Sequence, residues 1–154
     1  MKKIYFVGIL CLMVLTIDAQ EFVDLGLPSG TKWKDMNEIE LYNYNSALVE
    51  FSGSLPTFEQ FEELKDSCKW EWTGNGYKVT GVNGNSIFLP AAGVRRDSSL
   101  YSAGSYGYYW SSLLYSSDPS LAWYLYFDSG GCSMYGDGYR YRGRSVRAVC
   151  QSQN

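Results

Sequence analysis

The chain has 154 residues, a formal net charge of −3, no histidine, and 17% aromatic residues that include 14 Tyr and 5 Trp. That length fits one domain, and 45% apolar against 19% charged residues excludes a disordered polymer. Without histidine, Ser-His-Asp and Cys-His catalysis and every His-ligated metal site are excluded, and nothing supplies the basic field that nucleic acid requires.

Residues 1–19 read as a signal peptide. Lys2 and Lys3 form its positive start, Ile4 to Ile17 is an apolar run too short for a comfortable membrane span, and Ala19 offers a small residue for cleavage. Residues 20–154 are then the exported domain, in the periplasm, on the outer cell surface or secreted, with no membrane span after cleavage. An uncleaved anchor is the alternative. Removal of the leader leaves a net charge near −4 and an odd set of thiols, Cys68, Cys132 and Cys150, which allows at most one intrachain bridge.

Short strands are expected at Phe22–Leu25 and Thr31–Trp33, around a turn at Leu27–Gly30. The stretch 37–54 gives no clear signal. A helix follows. Thr57 stands at its N-cap, Gln60 completes a capping box, and Phe58, Phe61, Leu64 and Cys68 form one apolar stripe. Lys69–Thr73 alternates as a half-buried strand. Tyr77–Thr80 and Ser86–Leu89 are strands joined through a turn with Asn83-Gly84. Further strands are expected at Tyr108–Ser112, Ala122–Asp128, Cys132–Tyr135 and Ser145–Cys150. The sum is an α+β domain with one or two helices, short antiparallel sheets and long loops.

Composition shifts near residue 97. Residues 97–149 contain no Lys, Glu, Gln, Asn, Thr or Ile, but hold 10 of the Tyr, 12 Ser and 7 Gly. In a strand over Ala122–Asp128, Trp123, Leu125 and Phe127 share one face, which is assigned to the core. Tyr124, Tyr126 and Asp128 share the other. Ser133 and Tyr135 extend that outer face, which continues through Asp137, Tyr139 and Tyr141. With Tyr115 from the same tyrosine-rich half, these are the candidate ligand-binding residues. Tyr, Ser and Asp are what binding loops use: rigid amphipathic area with small polar groups. An inert solvent face of strand-favouring Tyr is the competing reading.

Several segments resemble the Fibrobacter succinogenes major paralogous domain: Phe22 to Trp33 (FVDLGLPSGTKW), Leu55-Pro-Thr57, Cys68 to Thr73, Gly76 to Thr80, Gly84 to Gly93, Tyr109 to Ser112 and Arg144 to Val149. Between Trp33 and Leu55 this chain has a short substitute for the longer Gly- and Trp-rich insert of many members. The resemblance implies a C-type lectin-like fold, in the branch shared with formylglycine-generating enzymes and with variable proteins of diversity-generating retroelements. It also implies a Cys68–Cys150 disulfide, with two buried free thiols as the alternative. Arg147, in the closing motif, is then structural, while Arg140 and Arg142 border the ligand surface.

Adenine replacement in Asn codons cannot yield Lys, Glu, Gln, Met or Trp. Residues 113–143 lack the first three, and Trp123 and Met134 stand only at expected core positions. The chain therefore resembles a retroelement-diversified receptor, with variable residues 113–143. The calcium motifs Glu-Pro-Asn and Trp-Asn-Asp do not occur. No catalysis, cofactor or metal is expected, and Arg140 is the one cation expected near Cys132. The expected function is a non-enzymatic receptor or adhesin module, diversified or not, for an unknown protein or glycan ligand at the cell surface. The alternative is a structural subunit of a cell-surface assembly that packs through the same face.

Overall fold

A computed structural model describes residues 21–151, so the expected leader at 1–19 lies outside the described residues. β1 (Phe22–Asp24) and β2 (Thr31–Lys34) pair antiparallel around the expected turn, where the Gly30 amide donates to the Leu27 carbonyl at 2.9 Å. β11 (Val149–Gln151) joins the other side of β2 and sets Val149 opposite Trp33. The unassigned 37–54 stretch holds a helix, α1 (Tyr44–Glu50), capped by the Asn43 side chain. It has only seven residues and buries only Tyr44 and Ala47, too little to form a periodic pattern.

α2 (Phe58–Ser67) forms as its caps dictate. Thr57 Oγ1 accepts the Gln60 amide at 3.1 Å, and Gln60 Oε1 accepts the Thr57 amide at 2.9 Å. Its stripe buries Phe61 and Leu64 fully. β3 (Lys69–Trp72), β4 (Gly76–Thr80) and β5 (Ser86–Pro90) make an antiparallel meander. β6 (Val94–Arg96) and β7 (Ser99–Tyr101) form a small hairpin that the sequence did not announce.

β8 (Gly107–Leu114), β9 (Leu121–Asp128) and β10 (Gly131–Tyr139) build an antiparallel sheet with β9 in the middle. Two apolar clusters lie on its two faces. Tyr109, Leu125 and Phe127 belong to the first, with Trp33, Phe61, Leu64, Val79 and Leu89. Trp110, Ala122 and Tyr124 belong to the second, with Tyr44, Ala47 and Val146. Each fully buried Leu or Phe contributes roughly 1.5–3 kcal/mol. Gly107 is required by close approach: a Cβ there would stand 2.1 Å from the Phe127 ring.

The expected α+β, C-type lectin-like class is corrected. Of the described residues 45% are strand and 13% helix, arranged as two short helices against four small sheets. The core is built by strand side chains, and the helices act as covers rather than as a layer of their own. The expected Cys68–Cys150 disulfide is also corrected, since Cys68, Cys132 and Cys150 are all free thiols. Neighbours in a strand point to opposite sides. Val149 enters the first cluster, against which Cys68 packs, so Cys150 is turned away from it.

Arg147 is structural. It is fully buried, its Nε donates to Asn37 Oδ1 at 2.8 Å, and its two terminal nitrogens donate to the Lys34 and Phe88 carbonyls. Among the described residues, no helix is long and apolar enough to cross a membrane.

Candidate functional site

The register of the central sheet decides which side chains meet. Tyr126 lies between Tyr108 of β8 and Ser133 of β10, and Tyr124 lies between Trp110 and Tyr135. Alternation then puts Tyr108, Tyr124, Tyr126, Ser133 and Tyr135 on one face. Their rings touch in a continuous patch. Tyr108 and Tyr126 are 5.4 Å apart, Tyr126 and Tyr135 5.7 Å, Tyr124 and Tyr135 6.2 Å, and Tyr106 stacks on Tyr126 at 5.8 Å.

One end of this face is open and the other is closed. Tyr135 is 46% exposed, and Ser133 and Asp137 are also exposed. Tyr126 and Asp128 are half-buried; the Tyr126 hydroxyl donates to Asp128 Oδ2 at 2.8 Å, and Asp128 Oδ1 accepts the Gly130 amide at 2.8 Å. Burial, with the Asp128 hydrogen bond and charge, pushes the Tyr126 phenol well above its ordinary value. Two shallow depressions share Asp128 and Gly130, one of about 300 Å³ with Tyr126 and Tyr135 and one of about 420 Å³ with Trp72 and Tyr106.

Tyr124 corrects the sequence reading. It is only 8% exposed and belongs to the second cluster rather than to the solvent. Its hydroxyl donates to Asp137 Oδ1 at 2.9 Å, and burial pushes its phenol up to about 12. The Arg144 guanidinium lies over its ring at 3.6 Å, and beside it Tyr44 of α1 packs on Trp110 at 5.1 Å. A bulge between Tyr135 and Gly138 also lays β10 over it. A Cβ at Gly138 would be 2.6 Å from the Ala122 carbonyl oxygen and 2.8 Å from the Tyr124 ring.

The remaining expected residues are not all gathered into the patch. Tyr139 and Tyr141 are exposed, but lie against each other in a tilted pair at 5.5 Å. Tyr115 faces Trp123 at 5.8 Å and lines a depression of about 400 Å³ with Trp123, Met134 and Asp137, which borders the patch at Tyr135. Trp123, expected in the core, is half-buried at that rim, with its ring 5.0 Å from Phe58. Arg140 is tied to the Pro119 carbonyl at 2.9 Å and to Asn45, with its guanidinium over Tyr44.

Sequence reasoning missed Tyr106, Tyr108 and Arg144. The alternation of Tyr108, Tyr109 and Trp110 could have placed Tyr108 opposite Tyr126. Arg144 had no signal beyond its place in the closing motif. It is 2% exposed and lies over Tyr124 at 3.6 Å, Trp110 at 4.6 Å and Tyr108 at 5.2 Å. Its Nε and Nη1 are buried without a hydrogen-bond partner, and burial depresses its pKa to about 10.

The cation beside Cys132 is Lys65, not the expected Arg140, and burial still pushes that thiol up to about 11. Such a thiol is a poor nucleophile near neutral pH. Among the described residues no group of three His, Cys, Asp or Glu is placed to hold a metal ion.

A protein-family comparison matches residues 30–149 to a family described as Domain of unknown function (DUF8237). No curated protein and no solved structure matches the chain. The matched stretch runs from the turn before β2 to the first residue of β11, and so contains both helices, the central sheet and the tyrosine patch. The chain thus belongs to the DUF8237 family.

Proposed function

We propose that this chain is an exported, non-enzymatic binding module whose ligand, a protein or a glycan at the cell surface, docks on the open end of the tyrosine face. The observation that carries this reading is the run of touching rings from Tyr106 through Tyr108 and Tyr126 to Tyr135 beside the Asp128 carboxylate. Such rings offer large area with few rotors to freeze, and their hydroxyls add directional contacts. The high thiol value of Cys132 supports a role without nucleophilic chemistry. An array of glycans and proteins probed with the protein and with its Tyr126→Ala and Tyr135→Ala variants tests this. Spots bound by the parent should fade with both variants while circular dichroism is unchanged. Binding that survives both changes rejects the face.

The second reading, a structural subunit, draws on β10. It is an edge strand of nine residues, and Tyr135, Tyr139 and the following Tyr141 are exposed along it. An uncovered edge is a template for another strand. Solution mass separates the two: a monomer favours the receptor, and a stable oligomer that buries Tyr135 favours the subunit.

Membership of the Fibrobacter succinogenes major paralogous group and diversification of residues 113–143 belong to the same proposal. Their support is a contrast within the chain. Motif residues such as Trp33, Leu89, Tyr109 and Val146 are buried, whereas Ser133, Tyr135, Asp137, Tyr139 and Tyr141 are exposed. A near-identical upstream repeat differing at adenines, with a reverse transcriptase gene nearby, is the expected locus. Its absence removes the diversification idea.

A further inference from the structure

The open end of the tyrosine face runs into three turns, and the chemistry gathered there narrows the ligand. Gly74 lies in the β3–β4 turn, Gly104 and Ser105 in the segment leading into β8, and Ser129 and Gly130 in the β9–β10 turn. Hydrogen bonds between distant segments hold these turns in place. The Tyr77 hydroxyl of β4 donates to the Asp128 carbonyl at 2.8 Å, and the Gly104 amide donates to the Ala91 carbonyl at 2.6 Å. Asp128 and Gly130 belong to both depressions, the one of about 420 Å³ and the one of about 300 Å³. Small-ligand sites span about 300–1,000 Å³, so each depression suits a single small ring.

Both depressions combine aromatic rings with small polar groups. Trp72 and Tyr106 line the larger, and Tyr126 and Tyr135 line the smaller. Asp128 is the only charged residue in either lining. Its carboxylate accepts the Tyr126 hydroxyl and the Gly130 amide. An ionised carboxylate has about four acceptor positions, so half of them are left for a ligand. Ser105, Ser129 and Ser133 are exposed, and their hydroxyls have no partner among the described residues. Gly74 and Gly104 leave open space, since a Cβ at either would meet nothing within 4 Å.

The sign of the ligand follows from this lining. An anion would find no cation to pair with and a carboxylate that repels it. An ammonium group would use the carboxylate alone and leave three hydroxyls idle. A ligand with many hydroxyls and apolar C–H faces uses the carboxylate, the serines and the rings together. An extended peptide would add instead to the free edge of β10, where its main chain finds partners. Building on the binding role above, we infer that the open end of the tyrosine face takes a neutral disaccharide unit, one sugar ring in each depression, with sugar hydroxyls on Asp128 and the serines.

Calorimetric titration with cellobiose, maltose, lactose and mannobiose, and with their component monosaccharides, tests this. At least one disaccharide should bind, roughly tenfold more tightly than its monosaccharides, because it fills both depressions. Its affinity should be equal at low and high salt, since no charge pair forms. Gly130 is not in the left-handed region, so Gly130→Ala keeps the turn, and the new methyl would stand 3.1 Å from Asp128 Oδ1 in the shared lining. That variant should weaken the disaccharide roughly tenfold, and Ser129→Ala roughly threefold, with circular dichroism unchanged. If Gly130→Ala disturbs the fold, Ser129→Ala decides alone. No binding of any of these disaccharides, no gain over the monosaccharides, affinity that falls with salt, or full affinity in the variants each overturn the inference. The array ligand separates this from the parent reading. A protein ligand lost in Tyr126→Ala and Tyr135→Ala but retained in Gly130→Ala leaves the binding face standing and removes only the saccharide. A ligand indifferent to all of these changes removes both.

Discussion

The two faces of the β8–β9–β10 sheet come from the same strands and differ in what covers them. On one face Tyr109, Leu125 and Phe127 are fully buried beneath α2 and the β3–β5 meander. On the other, Tyr44 of α1 packs on Trp110 and Arg144 lies over Tyr124, while Tyr126 is half-buried and Ser133 and Tyr135 are exposed. The apolar face has one role along its length. The tyrosine face changes role along it, because Arg144 lies over Trp110 and Tyr124 at one end while Ser133 and Tyr135 stay exposed at the other. Tyrosine suits that boundary: its ring packs like Phe at the closed end, and its hydroxyl meets water or a carboxylate at the open one.

Substitutions across the two faces should separate these roles. The largest effect is expected from Phe127→Ala, which empties the first cluster and should lower stability by about 3–5 kcal/mol in urea unfolding. Tyr124→Ala should come next, at about 3 kcal/mol by the same measurement, because it opens the second cluster and uncovers Arg144. A neutral result there would return Tyr124 to the open face. Trp123→Ala, at a half-buried rim, should lower stability by only about 1–2 kcal/mol. Tyr135→Ala should stay within about 0.5 kcal/mol.

Alkaline titration sharpens the same contrast. Burial pushes the phenols of Tyr44, Tyr109 and Tyr124 up to about 12, from 10. A phenol that holds its proton more tightly when folded makes stability fall as pH rises from 10 to 12, after which its effect is constant. Arg144, depressed to about 10 by burial, works the other way over the same range and offsets part of the fall. Phenolate absorbance should therefore rise in two stages, with the late stage accompanied by unfolding. One stage with the fold intact would mean that Tyr109 in the first cluster and Tyr44 and Tyr124 in the second are all open to water.

Much of the fold was legible where a local rule was strong. The α2 caps needed only Thr57 and Gln60, and the strands of the central sheet were placed by alternation. α1 was not legible, because its anchors Tyr44 and Ala47 are held by Trp110 and Val146, which are remote in sequence. The β6–β7 hairpin was hidden for a similar reason. Its three-residue strands are exposed except for Val94, so no pattern marks them. In the candidate site, the pairing of Tyr124 and Tyr126 on one face was legible, but the burial of Tyr124 and the arrival of Arg144 were not.

Sequence alone determined which side chains share a face, since alternation along a strand is covalent geometry and needs no partner. Only the tertiary structure decided which part of a face stays wet, because covering is done by segments distant in the chain. The closing segment laid the Arg144 guanidinium over Tyr124 and Trp110, and Gly138 of β10 closed in on the Tyr124 ring. Those contacts depend on how the chain folds back, and no short window of residues encodes them.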